Sequence, residues 1–264
     1  MIKYILCCCF WLHAQNIHAA PLQRILALTP HVCEMLYAIG ASANIVGAVD
    51  YCNYPEAAKA LPRVGNYQGI NVEAAWRLKP DVAVVLSRST KGVAALEALG
   101  VDIVVSNPSS FDGIFQSLLL LGTLTNHSQE AIELVSQQRL RLIAVQRKAR
   151  TNLRVFYEVW HAPLIAAGGT SFINALIDDA GAINIFSQIT LEAPRVNVEA
   201  VIRGKPDVII IPGETHDLQA RQLFWEKWLG KKHIHFVTVP ADLMHRPGPR
   251  LIEGLEILQH LLKK

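Results

Sequence analysis

The chain has 264 residues, of which 51% are hydrophobic and 18% charged, with a formal net charge of +3. That length exceeds the roughly 100–200 residues of a single ordinary domain and is enough to bury a sizeable core. The apolar content does not fit a disordered chain, repeated apolar runs of about 20 residues are missing for a polytopic membrane protein, and the charge is too weak for a nucleic-acid binder working through a basic stripe.

At the start, Lys3 precedes an apolar run from Tyr4 to Leu12, followed by a short polar stretch ending in Ala19 and Ala20. This is the order of a secretory signal peptide, with cleavage expected after Ala19 or Ala20 and an apolar run too short to span a bilayer. Cys7, Cys8 and Cys9 lie inside that run rather than after the small residues, so no lipid anchor is expected. Removing residues 1–20 leaves Cys33 and Cys52. In an oxidising compartment these two either pair or stay apart, since sequence does not give their separation in space.

Strands are expected at Arg24 to Leu28, Ile45 to Val49, Ala83 to Leu86, Asp102 to Val105, Arg154 to Val159, Ile209 to Ile211 and His235 to Val239. They alternate with helical stretches, which predicts α/β units. An internal repeat organises them. The segment from Asn71 to Val82, NVEAAWRLKPDV, recurs from Asn197 to Val208 as NVEAVIRGKPDV, with nine of twelve positions identical. Ile39 to Ile45 is echoed more weakly by Ala180 to Ile185. Two copies so far apart predict two similar lobes rather than a solenoid. Each copy reads as a helix capped by Asn71 or Asn197, carrying Glu73 or Glu199 in its first turn, stopped at Pro80 or Pro206 and running into a buried parallel strand.

Between the copies, residues 128–150 contain neither Gly nor Pro and are rich in Gln, Glu, Leu, Arg and Lys. One connecting helix is expected there, capped by Asn126 or Ser128 and followed by Asn152. At about 22 residues it would measure roughly 33 Å and join two lobes rigidly.

Signatures for phosphate loops, dinucleotide folds, zinc proteases, redox dithiols and nucleophile elbows are absent. Eight histidines remain after residue 20, of which only His233 and His235 are a close pair, so no metal site is expected. Ligands of open α/β sheets bind beyond the carboxyl ends of the strands. The segments expected there carry Thr29-Pro30-His31, Asp50 to Pro55 with Tyr51, Gly65 to Gly69 with Tyr67 and Gln68, Trp160-His161-Ala162-Pro163, and Asp242 to Pro247 with Arg246. Their aromatic side chains present flat apolar faces with polar tips, suited to a large planar ligand.

Taken together, the Ile-Leu-Ala-Leu-Thr-Pro start, the doubled Asn-x-Glu-x-x-x-x-x-Lys-Pro-Asp motif, the long middle helix and Glu158-Val159-Trp160-His161-x-Pro163-Leu164 are similar to the periplasmic substrate-binding proteins of cobalamin and iron-siderophore ABC importers, over about residues 23–262. The resemblance is closest to the cobalamin branch. It implies an α/β fold of two similar lobes, each a mainly parallel sheet with flanking helices, joined by one long rigid helix with the ligand cleft between them. The expected division is a signal peptide at 1–20, an N-terminal lobe at 21–126, the connecting helix at 127–152 and a C-terminal lobe at 153–264.

The resemblance further implies a periplasmic protein that carries a corrinoid to a membrane permease dimer, with Glu73 and Glu199 docking the two lobes onto permease arginines. Tyr51 matches an aromatic cobalamin contact, and Tyr67 stands where some members use tryptophan. Ala193-Pro194 occupies the place of a further tryptophan, whose area Trp160 is hypothesised to supply. Expected ligand contacts are therefore His31, Tyr51, Tyr67, Gln68, Trp160, His161, Asp242 and Arg246. Cobalamin is cargo; no cofactor, metal or catalytic residue is expected, and a monomer is. Two alternatives stay open: an iron-siderophore or haem receptor using Tyr67, Tyr51, His31, Arg246 or Arg250, and an exported enzyme using His161, His245 and Asp242 for acid–base work.

Overall fold

The computed structural model describes residues 23–148, 150–213, 218–230 and 234–263. The expected signal peptide, with Lys3 and Cys7 to Cys9, lies outside the described residues, as do His216 and His233.

The N-terminal lobe contains β1 (Ile25–Ala27), α1 (Pro30–Ala38), β2 (Ile45–Val49), β3 (Arg63–Asn66), β4 (Gly69–Ile70), α2 (Val72–Arg77), β5 (Val82–Val85), α3 (Val93–Ala98), β6 (Asp102–Val105) and α4 (Phe111–Leu124). Its sheet has the order β4-β3-β2-β1-β5-β6, parallel throughout except where β4 folds back on β3. Then α5 (Ser128–Gln146) leads to the C-terminal lobe, made of β7 (Arg154–His161), β8 (Leu164–Ala166), α6 (Phe172–Asp179), β9 (Ile183–Asn184), α7 (Val198–Gly204), β10 (Val208–Pro212), α8 (Leu218–Leu229), β11 (His235–Val239), α9 (Ala241–Met244) and α10 (Leu251–Leu261). Here the order is β11-β10-β7-β8, with β9 parallel to the start of β7 and β8 antiparallel to its end. The all-apolar strands β5 and β10 are buried along their whole length, as strands covered on both faces by helices must be.

The sequence repeat is also a structural repeat. Asn71 Oδ1 accepts the Ala74 amide at 3.1 Å and Asn197 Oδ1 accepts the Ala200 amide at 2.9 Å, so both caps form as expected. Both helices stop before the proline. The preceding residues, Lys79 and Lys205, take φ of 48° and 45°, because a residue before proline is disfavoured in the right-handed helical region. Each repeat is then tied to the first strand of its own lobe. Arg24 donates its amide to Asp81 Oδ2 at 2.7 Å and its guanidinium to the Leu78 and Lys79 carbonyls; Arg154 repeats this on Asp207, also at 2.7 Å, and on Gly204 and Lys205. The weaker echo is equally real. Gly40 and Gly181 adopt φ of 80° and 86° just past α1 and α6, letting the next amide, Ala41 or Ala182, bond back to Leu36 or Ile177 at 2.8 and 3.0 Å.

Two expectations are corrected in the connector. The helix spans Ser128–Gln146, 19 residues or about 29 Å, and stops before Arg150, which instead reaches the Asp178 carboxylate of the C-terminal lobe at 2.7 Å. Neither Asn126 nor Ser128 is its cap: His127 holds that position without a side-chain capping bond, its Nδ1 lying instead 2.7 Å from the Thr125 carbonyl, and Asn126 takes φ of 60° in the tight turn from α4. At its far end α5 is held by α10, where Gln259 Nε2 donates to the Val145 carbonyl at 2.9 Å and Arg141 forks onto Glu256. One apolar cluster runs from Ile25 and Met35 through Phe115 and Val145 to Tyr157 and Leu258. The two lobes thus share a core.

Candidate functional site

The carboxyl ends of the two sheets meet at the seam between the lobes. From the N-terminal lobe come α1, which starts directly after β1, and the loop after β2. From the C-terminal lobe comes the segment 240–250 after β11. The centre of the seam is Glu34, the one carboxylate of α1, with a side chain only 2% exposed. Its Oε1 accepts from Arg246 Nη1 at 3.0 Å and Arg250 Nη2 at 2.6 Å, and its Oε2 from Arg250 Nε at 2.9 Å. Burial opposes the Arg250 charge, and the Glu34 fork outweighs it, raising the guanidinium pKa above its ordinary value. The same two arginines grip the loop after β2: Arg246 Nη1 donates to Asn53 Oδ1 at 2.8 Å, and the Arg250 guanidinium lies 3.7 Å from the centre of the Tyr54 ring.

The expected ligand residues divide into two groups. Tyr51, Tyr67 and Trp160 are 54%, 79% and 54% exposed, so their aromatic surface is open to a partner rather than packed in the core. Tyr51 follows β2. Tyr67 and Gln68 form the β3–β4 turn, which the Gln68 amide closes onto Asn66 Oδ1 at 2.9 Å. Trp160 and His161 lie at the end of β7, whose strand runs two residues beyond Val159 into a hairpin with β8; they belong to that hairpin rather than to a loop. The Trp160 indole donates to the Ala162 carbonyl at 2.9 Å and sits on the exposed His161 ring, centroids 5.2 Å apart. Orientation is therefore fixed before any ligand arrives.

His31 and Arg246 are placed differently from the expected open contacts. His31 is 3% exposed, lies beside Gly248 of the other lobe and has Nε2 3.1 Å from the Ser106 carbonyl. Burial lowers its pKa to about 4, against a smaller upward pull from the Ser106 bond, so the ring is neutral near pH 7. Arg246 is 10% exposed and also pairs with Asp242 at 2.7 Å, which makes both residues members of the seam's charge network. Its partners there are Glu34, Asn53 and Asp242.

Glu73 and Glu199 are both exposed in the first turns of α2 and α7. Glu73 also pairs with Arg77 one turn on. Of the acid–base candidates, His245 is mostly buried with Nε2 3.0 Å from the Tyr157 hydroxyl, and burial lowers its pKa against a smaller upward pull from the Asp242 charge, while His161 contacts Trp160. Among the described residues no group of three or more His, Cys, Asp or Glu is arranged to hold a metal ion, and no helix is long and apolar enough to cross a membrane.

Two features escaped the sequence reading. Glu34 was detectable as the one carboxylate of α1, though its partners were not. Glu158, noted only as part of a motif, is a buried carboxylate that accepts two bonds from Arg221 at 2.7 and 2.8 Å and one from the Trp225 indole at 2.6 Å. It fixes α8 onto β7 two residues before Trp160.

Comparison with known proteins adds to this geometry. The family model described as periplasmic binding protein matches residues 25–226. A vitamin B12-binding protein of Photorhabdus laumondii is 30% identical over 249 residues, covering 93% of this chain and 89% of its own. One from Pectobacterium carotovorum is 32% identical over 237 residues, covering 87% and 84%. Among solved structures, the periplasmic vitamin B12 binding protein of Vibrio cholerae superposes with a TM-score of 0.80 at 26% identity, covering 92% of this chain and 97% of that one. A periplasmic heme binding protein of Vibrio cholerae superposes with a TM-score of 0.81 at 19% identity over 92% and 99%, a likeness of fold.

Proposed function

This chain belongs to the periplasmic binding protein family, and on that premise we propose that it captures cobalamin or a related corrinoid between its lobes and delivers it to an ABC-type permease. The observation that carries the reading is the set of Tyr51, Tyr67 and Trp160, exposed aromatics at the carboxyl ends of both sheets. Flat apolar faces of that kind match a corrin ring, whose amide-bearing periphery is met by polar groups such as Gln68. The neighbouring charges Glu34, Asp242, Arg246 and Arg250 are paired with one another, leaving an aromatic rather than a strongly charged surface.

Binding requires no covalent step. The shared core and the Glu34 junction restrict the lobes to modest relative motion, so aromatics from both sides hold the cargo in a largely preformed site. The complex then meets the permease through Glu73 and Glu199, equivalent positions on two similar lobes, suited to a two-fold symmetric partner. In this reading residues 1–20 direct export and the protein acts as a monomer, divided at 21–126, 127–152 and 153–264. Calorimetric titration of the exported chain with cyanocobalamin tests the proposal: one-to-one binding at micromolar or tighter affinity is expected, and no heat overturns it. The exposed Tyr67 phenol favours a ferric complex or haem as the second reading, and titration with haemin and a ferric siderophore identifies it.

A further inference from the structure

The loop after β2 carries Tyr51 between two lobes that both hold it. On one side, Cys52 is joined to Cys33 of α1 by a disulfide with Cα atoms 6.0 Å apart, and both residues are buried. Within the same lobe, Arg63 donates to the carbonyls of Val49 and Cys52 at 2.8 and 2.9 Å, fixing the backbone on either side of Tyr51. From the other lobe, Arg246 Nη1 donates to Asn53 Oδ1. Tyr51 remains 54% exposed although its chain neighbour Cys52 is tied into the core.

A loop left free would have to be ordered when a ligand binds, at the expense of affinity. Here the ordering is already done, and Cys33 is next to Glu34, so the covalent tether and the interlobe ion cluster leave from the same turn of α1. We propose that the Cys33–Cys52 disulfide and the Asn53–Arg246 bond are positioning elements that preset Tyr51 for the ligand, so that affinity depends on them through Tyr51. This rests on the reading of Tyr51 as a ligand contact.

The test is a double-mutant cycle read as the dissociation constant for cyanocobalamin, at a temperature where circular dichroism shows every variant folded. In the wild-type background Tyr51→Ala is expected to weaken binding about tenfold. In the Cys33→Ala/Cys52→Ala background the same change is expected to cost less than about threefold, because an unpositioned Tyr51 contributes little. Asn53→Ala, which leaves the disulfide intact, supplies a second background should the cysteine variant fail to fold, and the same shrinkage is expected there. A disulfide that merely stabilised the fold would lower the melting temperature and leave the Tyr51→Ala factor unchanged; additive losses overturn the inference while leaving corrinoid binding intact. Failure of the wild type to bind cyanocobalamin overturns the functional reading, and this inference with it.

Discussion

Glu34 and Arg250, 216 positions apart in sequence, meet as a fork in which Arg250 Nε and Nη2 reach the two carboxylate oxygens at 2.9 and 2.6 Å. With Arg246 on the same carboxylate, this is the charged centre of the junction between the lobes. Removing one member of a buried pair leaves the others desolvated and unmatched, which costs about 3–5 kcal/mol. Glu34→Ala is therefore expected to lower the unfolding free energy in urea by about that much. A loss under about 1 kcal/mol would show that the junction adds little beyond the apolar core it sits in.

His31 sets a pH dependence at the same seam. Its folded pKa of about 4 lies below the unfolded value of about 6.5, so the unfolded chain takes up a proton first as pH falls. Its contribution is fully present above about pH 6.5 and is lost progressively between about 6.5 and 4, amounting to about 3 kcal/mol across that window. His245, also shifted down by burial, acts in the same direction. Denaturation of wild type and His31→Gln at pH 7 and pH 4.5 measures this. The variant is expected to show the shallower loss, and parallel losses would rule out His31 as the source.

Trp160 is half exposed, yet its indole N–H is committed to the Ala162 carbonyl and its ring rests on His161. A preoriented aromatic face is the kind of group that dominates binding energy, and Trp160→Ala is expected to weaken cobalamin binding by about 1–3 kcal/mol with the fold unchanged. Unchanged affinity by calorimetry would remove Trp160 from the site.

Glu73 and Glu199 predict the opposite separation of effects. Their helices are capped by Asn71 and Asn197, so replacing both glutamates by alanine is expected to leave stability and cargo affinity nearly unchanged. Docking to a permease reconstituted in liposomes is expected to weaken roughly tenfold or more. Full transport by the double variant would assign the two carboxylates to helix-dipole stabilisation alone.

What could be read from the chain in advance depended on the range of the interactions. The two lobes, their parallel strands and the caps at Asn71 and Asn197 were legible because apolar runs, capping side chains and prolines act on their immediate neighbours. The exposed aromatics were legible as a group because β2 and β7 were placed nearly correctly, and strand ends determine which residues face a ligand; the short β3 and β4 that flank Tyr67 were not among the expected strands. The connecting helix ends at Gln146, short of the basic end that composition favours. Arg150 is compatible with a helix by composition, but its native partner, Asp178, belongs to the other lobe.

By itself the sequence determined two similar α/β lobes, a connecting helix and an aromatic-rich set of carboxyl-end segments, all consequences of local periodicity and of a twelve-residue pattern used twice. Only the tertiary structure decided that Cys33 and Cys52 pair, that His31 is a buried neutral ring, and that Arg246 and Arg250 converge on Glu34. The reason is physical. A charge or a thiol carries no sign of its partner in its own neighbourhood: the pair 19 positions apart acquires its geometry when α1 packs beside the loop after β2 within one lobe, and the pair 212 positions apart when the common core draws the two lobes together.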